Sequence, residues 1–308
     1  MFRHMRFCVA VALLTIAPAG ALAGTITSIV VYGDSLSDNG NLFAAAGQPA
    51  APYWNGRFSD GQVAVEYLAA LLNVPLHDFA WGGATTGIGN VGDNGNVTTA
   101  GAVNLPGMLV EFKNTSALVP GFTGALFIVW GGPNDFLAPS PLDATPAAII
   151  SRSVSDLVSI VVGLQALGAT NILVPGMPDL GLTPYVLMQG PAASAAASAY
   201  TDAFNAALVG NLPAAAKYFD TASVMRAMVA DPAAYGFVNV DTPCFNGTTV
   251  CANPGQYLFW DSLHPTTASD ALLAADFASA VIPEPASFVL IAVGLFALKL
   301  GARARQRS

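Results

Sequence analysis

The sequence predicts an α/β fold, a three-layer α/β/α arrangement with a central, mostly parallel sheet. Two observations predict it. Short, continuously apolar runs rich in β-branched residues recur along the chain, and each stops at Gly or Pro. Strands buried on both faces of a sheet read this way. Between those runs lie stretches of about 10 to 20 residues with helical apolar spacing, and strands alternating with helices build parallel sheets.

Residues 25–32 are the first predicted strand, bounded by Gly33. After Ser59-Asp60-Gly61, residues 63–72 combine good helix formers with helical apolar spacing. Residues 82–107 are rich in Gly, Asn and Thr and predict irregular chain. Residues 125–130 are a second buried strand, closed by Gly131-Gly132-Pro133. A helix over 147–166, a strand over 171–174 ended by Pro175-Gly176, and an Ala-rich helix over 192–208 follow. Tyr218-Phe219 suggests a small strand, and residues 266–280 a closing helix capped by Thr266 or Thr267. No internal repeat and no second-domain boundary is visible. Ligand sites of such sheets sit at the carboxyl ends of the strands, which draws attention to Gly33-Asp34-Ser35 and to residues 131–135.

Both ends of the 308-residue chain read as addresses. Arg3 and Arg6 precede an apolar run over 7–17 and the small residues Ala21-Leu22-Ala23, the order of a secretory signal peptide over residues 1–23. The mature chain would begin at Gly24, and residues 24–280 are long enough for one well-buried domain. At the other end Pro283-Glu284-Pro285 precedes an apolar stretch over 286–298, then Lys299, Arg303, Arg305 and Arg307. Those apolar residues fall short of the ~20 that span a bilayer squarely. A snorkelling Lys299 would lengthen the span, with the basic end kept on the cytoplasmic side.

Composition excludes some functions. The formal net charge is −8 and only 10% of residues are charged, against ~25% in typical soluble domains. Between the two terminal segments the only cations are Arg57, Lys113, Arg152, Lys217 and Arg226, which makes nucleic acid a poor partner. Cys8 lies in the signal peptide, so the mature protein keeps Cys244 and Cys251, near enough to staple a small loop in an oxidising compartment. A disulfide between them is expected, and no metal: two cysteines make no zinc site, and neither an HExxH helix nor an aspartate-rich calcium loop occurs.

A serine hydroxyl becomes a strong nucleophile only when a base takes its proton, so a serine hydrolase needs a histidine and a group to orient it. Only His77 and His264 lie outside the signal peptide. Asp261-Ser262-Leu263-His264 places a carboxylate three residues before an imidazole, where one turn brings the two together. Taken alone, that pair also reads as a capping Asp and a surface His. Gly33-Asp34-Ser35-Leu36-Ser37-Asp38-Asn39-Gly40 puts a serine at a strand-to-helix turn, where a helix N-terminus would favour negative charge. Asp34, Asp38 and Asn39 read equally well as turn and cap residues. His77, beside Pro75 and Asp78, reads as a surface or strand-end residue. No Gly-x-Ser-x-Gly elbow occurs.

With these residues the chain resembles the GDSL (SGNH) hydrolases. Gly33-Asp34-Ser35-Leu36 is similar to the first block of that family, and Phe79-Ala80-Trp81-Gly82-Gly83-Ala84-Thr85-Thr86 to the second. Gly132-Pro133-Asn134-Asp135 resembles the third block and Asp261-Ser262-Leu263-His264 the last, all four in family order. Residues 57–61 and 177–181 resemble segments of hemolysin- and phospholipase-type members. Asp78 departs from the pattern, since many members carry Asn there, and Pro133 fills a position usually Gly or Ala.

The resemblance implies a secreted serine esterase or lipase that needs no cofactor and acts on a lipid, an acylated small molecule or a sugar ester. Ser35, His264 and Asp261 would be its triad; the N–H groups of Ser35 and Gly83 and the amide of Asn134 would form its oxyanion hole. A carbohydrate O-acetylesterase acting on exported polysaccharide, and a non-catalytic surface or matrix protein, are the alternatives. Residues 281–308 resemble the PEP-CTERM sorting signal of Gram-negative bacteria. That resemblance implies transient membrane insertion, cleavage by exosortase-type sorting machinery, and a destination in the cell envelope or extracellular matrix.

Overall fold

The structure, a computed structural model, describes residues 26–282. The expected signal peptide, and all of the expected sorting signal beyond Val281 and Ile282, lie outside the described residues.

Strands β1 (Ser28–Gly33), β2 (Leu76–Asp78), β3 (Ala125–Trp130), β4 (Asn171–Pro175) and β5 (Ala216–Phe219) form a five-stranded sheet in the order β2-β1-β3-β4-β5. Every neighbouring pair is parallel. Successive strand residues point to opposite faces, and here both faces are apolar. Val30, Tyr32, Phe127, Val129, Ile172 and Val174 enter one core, while Ile29, Val31, Leu126, Ile128, Trp130 and Leu173 enter the other.

The first face is covered by α3 (Met108–Thr115), α5 (Pro146–Ala166) and α7 (Pro191–Asn211), through Met108, Leu157, Ile160, Phe204 and Leu208. The second is covered by α2 (Ala64–Leu72) and α9 (Thr267–Val281), through Leu68, Leu273 and Phe277. At about 1.5–3 kcal/mol for each fully buried large apolar side chain, the two cores account for the layering without help from the few ion pairs. Local signals agree with it. Thr145 caps α5 by accepting from the Ala148 N–H, and Pro146 fills the first turn, where its missing donor costs nothing. Thr266 caps α9 through the Ser269 N–H.

Where the sequence analysis predicts no element, the structure adds β2, α3 and α8 (Thr221–Ala230), besides short helices α1 (Asn41–Ala46), α4 (Pro133–Leu137) and α6 (Pro184–Leu187). Each escapes for a physical reason. β2 is an edge strand of three residues, Leu-His-Asp, too short and polar to show alternation. In α3 a buried position is held by Glu111, which breaks the apolar spacing. His77 is a half-buried residue of β2 paired with Val30. Residues 82–107 are irregular apart from one 3-10 turn, Val91–Asp93. The Asp93 carboxylate organises that stretch by accepting the N–H groups of Gly95, Val103 and Leu105.

β1 has β2 on one side and β3 on the other, so the connections leaving it diverge. In open parallel sheets a crevice forms outside the carboxyl ends at such a reversal. Here it falls at the ends of β1 and β3, the strands that deliver Ser35 and Asn134.

Candidate active site

β1 ends on Gly33 because β3 comes too close for a side chain: a Cβ there would lie 2.7 Å from the Trp130 carbonyl oxygen. The Gly33 N–H donates to Glu111 Oε2 at 3.0 Å. The chain then turns tightly, with the N–H groups of Ser37 and Asp38 donating to the Asp34 carbonyl and the Leu36 N–H to the Asp34 carboxylate. Ser35 rides on this turn. The expectation of a helix N-terminus beneath it is corrected, since α1 begins only at Asn41. Residues 34–37 form a separate turn because Asp38 ends it, accepting the N–H groups of Gly40, Asn41 and Leu42 on one side. Asp38 also accepts the Gly82 N–H at 2.7 Å, stitching the first loop to the second.

Folding brings residues from opposite ends of the domain together. The Ser35 hydroxyl lies 2.8 Å from His264 Nε2. His264 Nδ1 lies 2.8 Å from Asp261 Oδ2 and 3.0 Å from Oδ1. A carboxylate there fixes the tautomer, with the proton on Nδ1 and Nε2 free to accept from Ser35. The 261–264 turn is self-supporting, because Asp261 Oδ1 also accepts the N–H groups of Leu263 and His264 at 2.8 and 2.7 Å. The Phe58 ring packs on the imidazole with 4.9 Å between centroids.

The electrostatics follow from this packing. Burial by itself would lower the His264 pKa, but the Asp261 carboxylate outweighs it and raises the group above the ordinary histidine value. Burial by itself would raise Asp261, yet His264 and the turn's hydrogen bonds hold it at about 2. Asp34, beside the serine, is raised by burial to about 7. The arrangement can move a proton from the serine oxygen to the imidazole while a fixed anion steadies the imidazolium.

Asn134 stands in the first turn of α4, buried, and lines the same pocket as Ser35 and His264. One N–H of its amide donates to the Ala84 carbonyl at 3.0 Å, which leaves the other. Next to it, Asp135 accepts the Thr86 N–H and hydroxyl, binding the third loop to the second. Gly83 adopts φ +81°, and a Cβ on it would come within 2.5 Å of Asn90 Oδ1, so only glycine fits. Gly83 does not line the pocket wall itself; it adjoins Ala84, the partner of Asn134. Among the described residues, no acceptor takes the N–H of Ser35 or Gly83. Cys244 and Cys251 are disulfide-bonded. Among the described residues, no group of three or more His, Cys, Asp or Glu is placed to hold a metal ion.

The pocket beside Ser35 and His264 has mainly apolar walls, among them Leu36, Trp130, Phe136, Val224, Met228 and Leu273. Three groups near the site have no place in the sequence reading's set of site residues: Glu111, Asp135 and Tyr53, whose hydroxyl lies 2.7 Å from Asp261 Oδ2. Asp135 at least adjoins a motif residue. Tyr53 is separated from Asp261 by most of the chain, and nothing in its neighbourhood announces the contact.

A parallel three-layer fold with a Ser–His–Asp relay at the carboxyl edge of its sheet defines the class, a hydrolase of the serine-nucleophile type. The chain belongs to the GDSL-like Lipase/Acylhydrolase family, whose model matches residues 29–277; it is an enzyme that acts on ester bonds. The PEP-CTERM protein-sorting motif matches residues 281–306, which suggests export and processing at the C-terminus. The chain is 28% identical to the thermolabile hemolysin of Vibrio parahaemolyticus serotype O3:K6 over 81% of its own length and 62% of the hemolysin's. It is 27% identical to the Arabidopsis thaliana GDSL esterase/lipase At1g71691 over 82% of its own length and 81% of that protein's. With the phosphatidylcholine-sterol acyltransferase of Aeromonas hydrophila the identity is 28%, covering 72% of this chain and 66% of that one.

Proposed function

We propose that this protein hydrolyses carboxylic esters of lipids through an acyl-serine intermediate on Ser35. His264 takes the Ser35 proton as the oxygen attacks the ester carbonyl, and Asp261 holds the imidazole. The tetrahedral oxyanion is received by the N–H groups of Ser35 and Gly83 and by the Asn134 amide, each such donor being worth roughly 10²–10³ in kcat. Collapse expels the alcohol, which carries off the proton from His264. Water, activated by the same imidazole, then frees the acid and restores Ser35.

The apolar pocket that opens at Ser35 and His264 carries the choice of substrate. An acetylated sugar has no apolar tail to fill such walls, whereas an acyl chain gains about 0.8 kcal/mol for each methylene it buries. The name of the phosphatidylcholine-sterol acyltransferase, which specifies two lipids, and that of the hemolysin support the same reading. The sorting motif supports an envelope or extracellular-matrix location in a Gram-negative cell, after removal of residues 1–23 and cleavage of the tail by exosortase-type machinery.

A series of p-nitrophenyl esters from acetate to palmitate, run beside acetylated xylan, tests this. The expected result is a kcat/KM that climbs with acyl length, and Ser35→Ala that turns over none of the esters while its circular dichroism matches the parent. Preference for acetylated xylan would sink the lipid reading, and turnover retained by the Ser35 variant would sink the mechanism.

A further inference from the structure

The triad of charge and proton groups does not end at Asp261. Its Oδ1 is satisfied within the 261–264 turn, by the Leu263 and His264 N–H groups. Oδ2 faces His264 Nδ1 and has one further donor, the Tyr53 hydroxyl at 2.7 Å. Tyr53 therefore reaches Asp261 from a loop more than 200 residues away in sequence. It is the only donor to this carboxylate from outside the turn among the described residues.

The surroundings of Tyr53 hold that hydroxyl in place. Its ring meets Phe58, Phe245 and Trp260 edge-on, at centroid distances of 6.0, 5.7 and 6.1 Å. Phe58 is the ring that also packs on His264, and Trp260 immediately precedes Asp261. Burial, with the Asp261 charge adding to it, raises the Tyr53 pKa, so the phenol stays protonated and can only donate.

We propose that Tyr53 is a positioning residue of the hydrolase, which fixes the Asp261 carboxylate and draws negative charge away from the oxygen that faces His264. The proposal rests on the serine-hydrolase mechanism given above. The buried Asp34 also faces His264 and raises it, as Asp261 does; the Tyr53 hydroxyl bonds Asp261 alone among the described residues, so its effect on the imidazole passes through that carboxylate. Without the phenol, Oδ2 presents its full charge to Nδ1, the imidazolium is stabilised, and His264 titrates at higher pH. Since only neutral His264 can accept the Ser35 proton, the acid limb of kcat/KM should move upward with it.

Tyr53→Phe keeps the ring and its aromatic contacts while deleting the hydroxyl. We expect kcat to fall roughly tenfold, because a carboxylate no longer held by the phenol orients the imidazole less well, with KM within about twofold. The His264 midpoint, read by NMR on the free protein, should rise. In the Asp261→Asn background the same substitution should cost nothing further, because its effect passes through the carboxylate. Wild-type kcat with an unmoved His264 titration would overturn the proposal, as would a tenfold loss that persists in the Asp261→Asn background. The NMR titration requires no turnover, so it judges Tyr53 even if no ester in the series is cleaved, an outcome that would count against the proposed function instead.

Discussion

Asp78 is a carboxyl where the family resemblance leads one to expect an amide, and its surroundings explain how a carboxyl fits there. Its Oδ1 accepts the Ala80 N–H at 3.0 Å, while Oδ2 is buried with no partner among the described residues. Burial raises its pKa well above the carboxylate range, and the neighbouring Asp38 and Glu66 charges add to the rise. A protonated carboxyl of this kind has the shape and neutrality of an asparagine amide. Unfolding releases the proton at any pH above the ordinary carboxyl value, so the side chain subtracts stability as pH rises from there. Asp78→Asn removes that subtraction. A rise in Tm of roughly 2–4 °C is expected at pH 7, the effect of about 1 kcal/mol in a domain of this size. The difference should vanish by about pH 3, where both states of Asp78 hold the proton; an equal gain at pH 7 and at pH 3 would contradict the account.

Among the elements, α9 and the disulfide-closed segment before it hold the distal half of the site. Thr266 caps α9 two residues after His264, and its hydroxyl donates to the Tyr257 carbonyl, so the helix start and the preceding chain are tied together. The N–H groups of Cys244 and Phe245 donate to the carbonyls of Phe259 and Trp260, directly ahead of Asp261. The cross-link between Cys244 and Cys251 closes a seven-residue separation, which by loop entropy restrains the unfolded chain by about 2 kcal/mol. Replacing both cysteines by serine should therefore lower Tm by roughly 5 °C. It should also lower kcat, because Phe245 packs on both Tyr53 and Trp260. A reduced Tm with undiminished kcat would show that the segment stabilises the domain without steadying Asp261.

The molecule as a whole buries several carboxyls whose affinity for a proton rises with burial. Burial raises Asp34 to about 7 and Asp135 to about 6, and lifts Glu111 and Asp270 well above the usual range. At neutral pH Glu111 and Asp270 keep in the folded state a proton that the unfolded chain has released, Asp34 keeps about half of one, and Asp135 keeps its own only up to about pH 6. Stability must then fall as pH climbs from about 4 through 7. The raised pKa of His264 works in the same direction, contributing stability that is fully present below about 6.5 and lost above the folded value. Asp261, held at about 2, opposes the trend only when pH drops below about 4. Tm should accordingly peak in mildly acidic buffer and decline toward pH 8. Turnover should do the reverse, rising with pH as His264 loses its proton. A Tm that increases steadily from pH 5 to pH 8 would refute this assignment of protons.

The layered fold was readable from the chain because a buried parallel strand writes a local signature: residues 125–130 are apolar without interruption and lie between two packed helical layers. The serine, the histidine and the aspartate proposed as the triad stand out in the sequence through four motif blocks in family order, because residue type alone leaves Asp261 and His264 equally readable as a cap and a surface residue. Position within the fold was not. β2 gains its strand conformation from pairing with β1, and Glu111 earns a buried place only through the Gly33 N–H of a distant strand. Neither leaves a pattern in its own neighbours. Tyr53 is the sharpest instance, an ordinary aromatic in a Pro-rich loop until folding sets its hydroxyl against a carboxylate from the far end of the domain. Local sequence carries periodicity and chemical type. Contacts between residues far apart along the chain depend on how packed elements meet, and only the tertiary structure decides those.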